Sequence, residues 1–154
     1  MRGNKAARRK IEADPKHNNL IIAKFINYVM RRGKKSVAQA IIYDMLDDIS
    51  KKTKQDPLEI FDRGLKNVTP ILEVKSRRIG GANYQIPVEV RGDRRITLAM
   101  RWLIKAAQTR KGMPMSQKLA EEFIAASNNQ GEAIKKKEDV HRMAEANRAF
   151  AHFA

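Results

Sequence analysis

The chain has 154 residues and no cysteine, and its 32 Lys plus Arg against 17 Asp plus Glu leave a formal charge of +15 with histidine neutral. That length suits one domain, and without cysteine there is no disulfide framework, thiolate zinc site, iron–sulfur cluster or thiol nucleophile. No apolar run approaches the ~18 residues needed to cross a bilayer, and the basic stretch from Met1 to Lys10 has no signal-like apolar segment behind it, so a soluble cytoplasmic protein with no membrane partner is expected.

The first 19 residues carry six basic side chains, Arg2, Lys5, Arg8, Arg9, Lys10 and Lys16, against Glu12 and Asp14. Residues 1–18 therefore read as a basic extension that orders on a polyanion. Of the 35 Leu, Ile, Val and Phe residues, 30 lie between Leu20 and Ile124, which places the core of a single helical domain, 19–154, in that span.

Leu20, Ile21, Ile22, Phe25, Ile26, Val29 and Met30 predict a first helix that Gly33 stops. Ser36 and Gln39 have capping-box spacing and open a second helix to about Lys52, with Val37, Ile41, Ile42, Met45, Leu46 and Ile49 inward. Asp56-Pro57-Leu58-Glu59 opens a third, ended by Pro70, whose buried face should be Leu58, Phe61, Leu65 and Val68.

The period then changes. Residues 74–90 place Tyr84, Ile86, Val88 and Val90 at every second position around Gly80-Gly81, the pattern of a β-hairpin. A two-residue Gly80-Gly81 loop would set Val74 opposite Pro87, whereas a three-residue loop, Gly80 to Ala82, sets it opposite Val88. The apolar face favours the three-residue loop. Two strands alone are marginal in water, so a basic hairpin should project from the body and be held by a partner.

Asp93 is the expected cap of a fourth helix to Thr109, with Ile96, Met100, Leu103, Ile104 and Ala107 inward and Arg94, Arg95, Arg101 and Lys105 outward. Trp102 should be partly buried. Ser116 should cap a fifth helix through Leu119, Ala120, Phe123 and Ile124. From Glu132 onward the helix formers continue with few large apolar residues, as in a helix polar nearly all round that needs an external surface to lie on. The fold class is thus mainly α: a body of about six helices, a protruding two-stranded hairpin and a basic N-terminal arm.

Charge is unevenly spread. Between Val74 and Lys111 there are ten basic residues and only Glu89 and Asp93 as acids, while Asp44 to Asp62 holds six of the 17 acids. One side of the fold therefore suits a polyanion and the other water or protein. Catalytic constellations fail on inspection: Asp44, Asp47 and Asp48 read as an exposed acidic stripe, Glu138 and His141 form one Glu-x-x-His pair where a di-metal bundle needs two, and Gly80-Gly81 lacks the rest of a phosphate-gripping loop. No catalytic residue, metal or cofactor is expected. Tyr84 can stack on a base or on the opposite strand, and Arg77, Arg78, Arg94 and Arg95 can meet phosphate and base together. A free-standing nucleic-acid regulator and a metal-dependent nuclease are the competing readings.

The segment Val74-Lys-Ser-Arg-Arg-Ile-Gly-Gly-Ala-Asn-Tyr-Gln-Ile-Pro-Val-Glu-Val90 resembles the signature of the seventh protein family of the small ribosomal subunit, bacterial type. Ala23-Lys-Phe-Ile-Asn27, Gly33-Lys-Lys-Ser36, Leu98-Ala-Met-Arg-Trp-Leu103 and Glu138-Asp-Val-His-Arg-Met-Ala-Glu-Ala-Asn147 are similar to the same family. The resemblance implies six helices with a protruding hairpin, binding to the 3′ major domain of small-subunit rRNA, nucleation of head assembly, and a place near the exit-site tRNA and mRNA. It implies rRNA contacts at Arg2, Lys5, Arg8, Arg9, Lys10, Lys34, Lys35, Lys75, Arg77, Arg78, Arg94, Arg95, Arg101, Arg110, Lys111, Lys136 and Arg142. Arg78, Gly80, Gly81 and Tyr84 would lie near tRNA and mRNA, and the hairpin would reach toward neighbouring proteins including the eleventh of the subunit.

Overall fold

A computed structural model describes Gly3 and residues 9–153, the side chain of Phe153 excepted, so Arg2, Lys5 and Arg8 of the basic extension lie outside the described residues. The described chain is mainly α, with six helices and one two-stranded antiparallel sheet between the third and fourth. It forms two compact units, residues 1–39 and 40–154, and the boundary falls inside the second helix.

In the first unit, Asp14 is buried and its Oδ2 accepts the N–H groups of Lys16 and His17 at 3.2 and 3.1 Å, a side-chain turn that delivers the chain to its first helix. Helix α1 (Leu20–Val29) is capped by Asn19, whose Oδ1 accepts from Ile21 and Ile22 at 2.8 and 3.3 Å. It buries Ile22, Ala23, Phe25 and Ile26, the middle of the expected stripe. Arg32 (φ 53°) and Gly33 (φ 73°) reverse the chain into α2 (Lys35–Thr53). Ser36 is helical rather than capping, because the Lys34 carbonyl already accepts the Ala38 N–H at 3.3 Å and so holds the cap position.

The second unit starts with the rest of α2, which buries Ile42, Met45, Leu46 and Ile49. Helix α3 (Pro57–Val68) begins as read, with Asp56 Oδ1 accepting the Leu58 N–H at 3.0 Å. Its buried face is Ile60, Phe61, Gly64, Leu65 and Val68, so the stripe is rotated from the expected one and Leu58 is only half-buried. The partner sets that rotation: α3 packs on α5 (Met115–Ser127), where the Phe61 and Phe123 rings stack at 4.9 Å. Each fully buried phenylalanine contributes about 1.5–3 kcal/mol. Asn67 Nδ2 donates to the Ala126 and Ser127 carbonyls at 3.0 and 3.2 Å, tying α3 to the last carbonyls of α5.

Helix α4 (Asp93–Thr109) buries Ala99, Met100, Leu103, Ala106 and Ala107, with Ile96 and Ile104 half-buried. Two expected caps are displaced. Gly92, not Asp93, precedes α4, and Pro114, not Ser116, precedes α5, because the upstream residue already supplies the non-helical backbone that a cap requires. Helix α6 (Glu132–Ala146) buries a narrow stripe of Ala133, Ile134, Val140 and Ala144, and the surface it lies on is internal, formed with α4 and the first hairpin strand. A 3-10 turn, Arg148–Phe153, closes the described chain.

The hairpin pairs β1 (Leu72–Ile79) with β2 (Ala82–Glu89). Its register places Ile79 opposite Ala82 and Val74 opposite Pro87, so the loop is the two-residue Gly80-Gly81 and the expected three-residue loop is corrected. Both glycines have positive φ, 57° and 91°, which a two-residue turn between right-twisted strands demands. Proline enforces the same register. Rungs of an antiparallel ladder alternate between hydrogen-bonded and non-bonded pairs, and the Val90 N–H donates to the Ile71 carbonyl at 2.9 Å. Counting back from that rung makes Val74 and Pro87 a non-bonded pair, where a missing N–H costs nothing, whereas the alternative register would pair Pro87 at a bonded rung.

Candidate nucleic-acid interface

In the first unit, Arg9 and Lys10 are exposed, and so are Lys34 and Lys35 at the entry to α2. The turn that presents them is held by the Lys34 N–H on the Arg31 carbonyl at 3.1 Å and the Lys35 N–H on the Gly33 carbonyl at 2.9 Å.

In the second unit, the outer half of the hairpin is exposed and its root is buried. Lys75 through Arg78 and Gly80 through Asn83 face solvent, whereas Glu73, Ile86 and Val90 are buried. Arg77 lies opposite Tyr84 and Arg78 opposite Asn83, so the two neighbouring arginines stand on opposite faces of the ribbon. Tyr84 is half-buried against the C-terminal turn, its ring 5.2 Å from that of Phe150 and tilted by 58°. Phe150 is a neighbour that the sequence did not name, beside the cross-strand Arg77.

The root of the hairpin is pinned by side chains. Its last rung is half made, and the two backbone groups left over are taken up: the Ile71 N–H donates to His141 Nε2 at 3.2 Å, and the Val90 carbonyl accepts Arg95 Nε at 2.6 Å. Arg94 donates Nε and Nη2 to the Glu73 carboxylate at 2.9 and 2.6 Å, and Lys75 reaches the same carboxylate at 3.3 Å. Glu73 is thereby held below the usual glutamate pKa, chiefly by the Arg94 hydrogen bond. An open groove of about 440 Å³ lies here, lined by Glu73, Lys75, Glu89, Arg91 and Arg94 among others.

These pairs change the charge picture. Glu73 stands one residue before the stretch that was counted as strongly basic, and it neutralises two of that stretch's cations. Arg95 also meets Glu89 at 3.5 Å, and Arg110 meets Glu121 and the buried Glu122 at 3.1 and 2.8 Å. Lys75, Arg94, Arg95 and Arg110 are therefore tied into the fold, whereas Arg78, Arg91, Lys105 and Lys111 make no ion pair among the described residues. Arg101, Lys136 and Arg142 on the helices and Lys111 in the connection between α4 and α5 are exposed, and Arg142 has a loose pair with Asp139 at 3.6 Å. Sequence reading missed Glu73, Glu122, His141 and Phe150 as partners because each meets its contact through tertiary packing.

Among the described residues, no group of three or more His, Cys, Asp or Glu side chains is placed to hold a metal ion. Asp44 and Asp47 are exposed and Asp48 half-buried along α2. No described helix is long and apolar enough to cross a membrane.

The protein-family model described as Ribosomal protein S7p/S5e matches residues 1–148. The chain is 58% identical over 153 residues to the small ribosomal subunit protein uS7 of Thermotoga maritima, covering 99% of each. Its identity to the proteins of the same name from Teredinibacter turnerae and Moorella thermoacetica is 57% over 147 residues, 96% of this chain and 94% of that relative, and 56% over 152 residues, 99% and 97%. The chain belongs to the ribosomal protein S7p/S5e family and is a structural protein of the small ribosomal subunit, not an enzyme.

Proposed function

We propose that this protein binds the 3′ major domain of small-subunit rRNA and nucleates assembly of the subunit head, with residues 19–154 as one RNA-binding domain and residues 1–18 as a basic extension. As a small-subunit protein it resides in the cytoplasm, in the ribosome. The observation that carries the reading is the hairpin: a root locked by Glu73, Arg94, Arg95 and His141, and an exposed outer half that bears Arg77 and Arg78 on opposite faces. A rigid arm with cations on both faces suits a crevice between two nucleic-acid strands, where phosphate contacts position and RNA shape selects.

Arg9, Lys10, Lys34, Lys35, Arg101, Arg110, Lys111, Lys136 and Arg142 supply further phosphate contacts in this reading, with Arg2, Lys5 and Arg8 from the extension. Lys75, Arg94 and Arg95 act there while anchored to carboxylates. The turn at Gly80-Gly81, with Arg78 and Tyr84, lies beside the exit-site tRNA and mRNA, and neighbouring small-subunit proteins, the eleventh among them, meet the arm.

The test is a salt-titrated comparison of binding to the 3′ domain of small-subunit rRNA and to an unrelated folded RNA of equal length. Tighter binding to the rRNA that persists as salt rises is expected, and Arg77→Ala with Arg78→Ala should weaken it without unfolding the helices. Equal affinities that collapse together would overturn the reading in favour of a generic polycation.

A further inference from the structure

Away from the hairpin, α4 and α6 enclose an open groove of about 350 Å³. Each helix contributes one stripe at i, i+3, i+4 and i+7: Trp102, Lys105 and Thr109 fall on the first, and Glu132, Lys135, Lys136 and Asp139 on the second. Trp102 is half-buried, so part of its indole remains open to the groove. Both acids are already engaged along their own helix, Glu132 with Lys135 at 3.9 Å and Asp139 with Arg142 at 3.6 Å. Lys105 on one wall and Lys136 on the other are exposed and have no ion pair among the described residues.

We propose that this groove holds one unpaired nucleotide of RNA, its base against the Trp102 indole and its flanking phosphates on Lys105 and Lys136. The proposal rests on the RNA-binding reading and assigns it a site separate from the hairpin. A volume of about 350 Å³ is at the lower end for a small-ligand site and suits a single nucleotide unit. An aromatic face accepts any base, and compact ammonium groups meet phosphate as point charges. A protein partner would need more apolar contact than one large side chain flanked by charge, so the polyanion is favoured.

Trp102 is the only tryptophan in the chain, so fluorescence excited selectively at tryptophan, which leaves the three tyrosines dark, reports on this groove. The full-length protein is titrated with a 3′-domain rRNA transcript, and emission, acrylamide accessibility and binding are followed in parallel. The expected result is quenched emission and reduced accessibility on binding. The double variant K105A/K136A, altered only at exposed side chains, should bind more weakly, lose most of the quenching, and show a salt slope lower by about 1.4, two phosphates at roughly 0.7 each on a single strand. Normal rRNA binding with unchanged emission and an unaffected double variant would overturn the groove while leaving the RNA-binding reading intact. Quenching that appears only after other small-subunit proteins are added would reassign the groove to a protein. Absence of rRNA binding would overturn both readings.

Discussion

His141 Nε2 accepts the Ile71 N–H at 3.2 Å, so a side chain of α6 completes the hydrogen bonding of the first residue beyond the hairpin ladder. An imidazole can do this only when neutral, and burial together with the Lys137 charge holds His141 below the usual histidine pKa. The unfolded chain binds the proton at about pH 6.5, and the folded one only at lower pH. This contribution, about 1 kcal/mol for one hydrogen bond, is therefore complete above pH ~6.5 and lost as pH falls through the lower folded value.

The expected outcome is a protection factor at the Ile71 amide, taken against the intrinsic exchange rate at each pH, that falls as pH is lowered from 7.5 to 5. His141→Phe should show low protection at that amide at every pH. Equal protection factors for the unaltered protein across that range would count against the bond.

Glu73 and Arg94 give the opposite sign at a lower pH. The Glu73 carboxyl is held below its ordinary value, so its stabilisation is present above about pH 4.3 and lost as pH falls through the folded value. Glu73→Gln should cost about 1–2 kcal/mol at pH 7, at the low end for a charged hydrogen bond because Arg94 is largely in water. Thermal melts from pH 7 to pH 3 should show the two proteins converging at the acid end, and a gap that stays constant would refute the pairing.

Glu122 is fully buried on α5, where Oε1 accepts the Ala133 N–H at 2.9 Å and Oε2 accepts Arg110 Nη2 at 2.8 Å. It thus caps α6 from another helix and holds the end of α4 as well. Glu122→Ala should cost about 2–3 kcal/mol, since it leaves a buried N–H and a guanidinium without their acceptor. Gly131→Ala should also destabilise, because its φ is 98° and a new Cβ would stand 2.8 Å from Glu122 Oε1. Urea unfolding checks both, and a Gly131→Ala midpoint at or above that of the unaltered protein would contradict this geometry.

The two-residue turn makes a prediction in the stabilising direction. Asparagine tolerates the positive φ of Gly80, and Asn-Gly is a favoured two-residue hairpin turn. Gly80→Asn should therefore hold or raise stability by up to about 1 kcal/mol through the unfolded state, whereas Gly81→Val should disrupt the arm. Cross-strand NMR contacts between Ile79 and Ala82 would report the register, and contacts between Ile79 and Asn83 would indicate the longer loop.

Much of this protein is legible in its sequence, where the physics is local. The opening of α3 follows from Asp56 and Pro57, and the hairpin from a switch of period around two glycines. The register was also within reach, because Pro87 tolerates only a rung that asks for no N–H. The apolar faces taken alone favour the longer loop.

What tertiary structure decided was which charges remain available and which faces are buried. Glu73 and Glu122 are ordinary acids in the sequence, yet the fold brings Glu73 on β1 onto Arg94 at the start of α4, and Glu122 on α5 onto Arg110 and the buried first turn of α6. Phe150 finds Tyr84, and His141 finds Ile71, across 66 and 70 residues of chain. Local propensity and charge runs depend on neighbours in sequence, whereas burial, ion pairing and pKa depend on neighbours in space, so the kind of fold was readable in advance and the set of cations it leaves exposed was not.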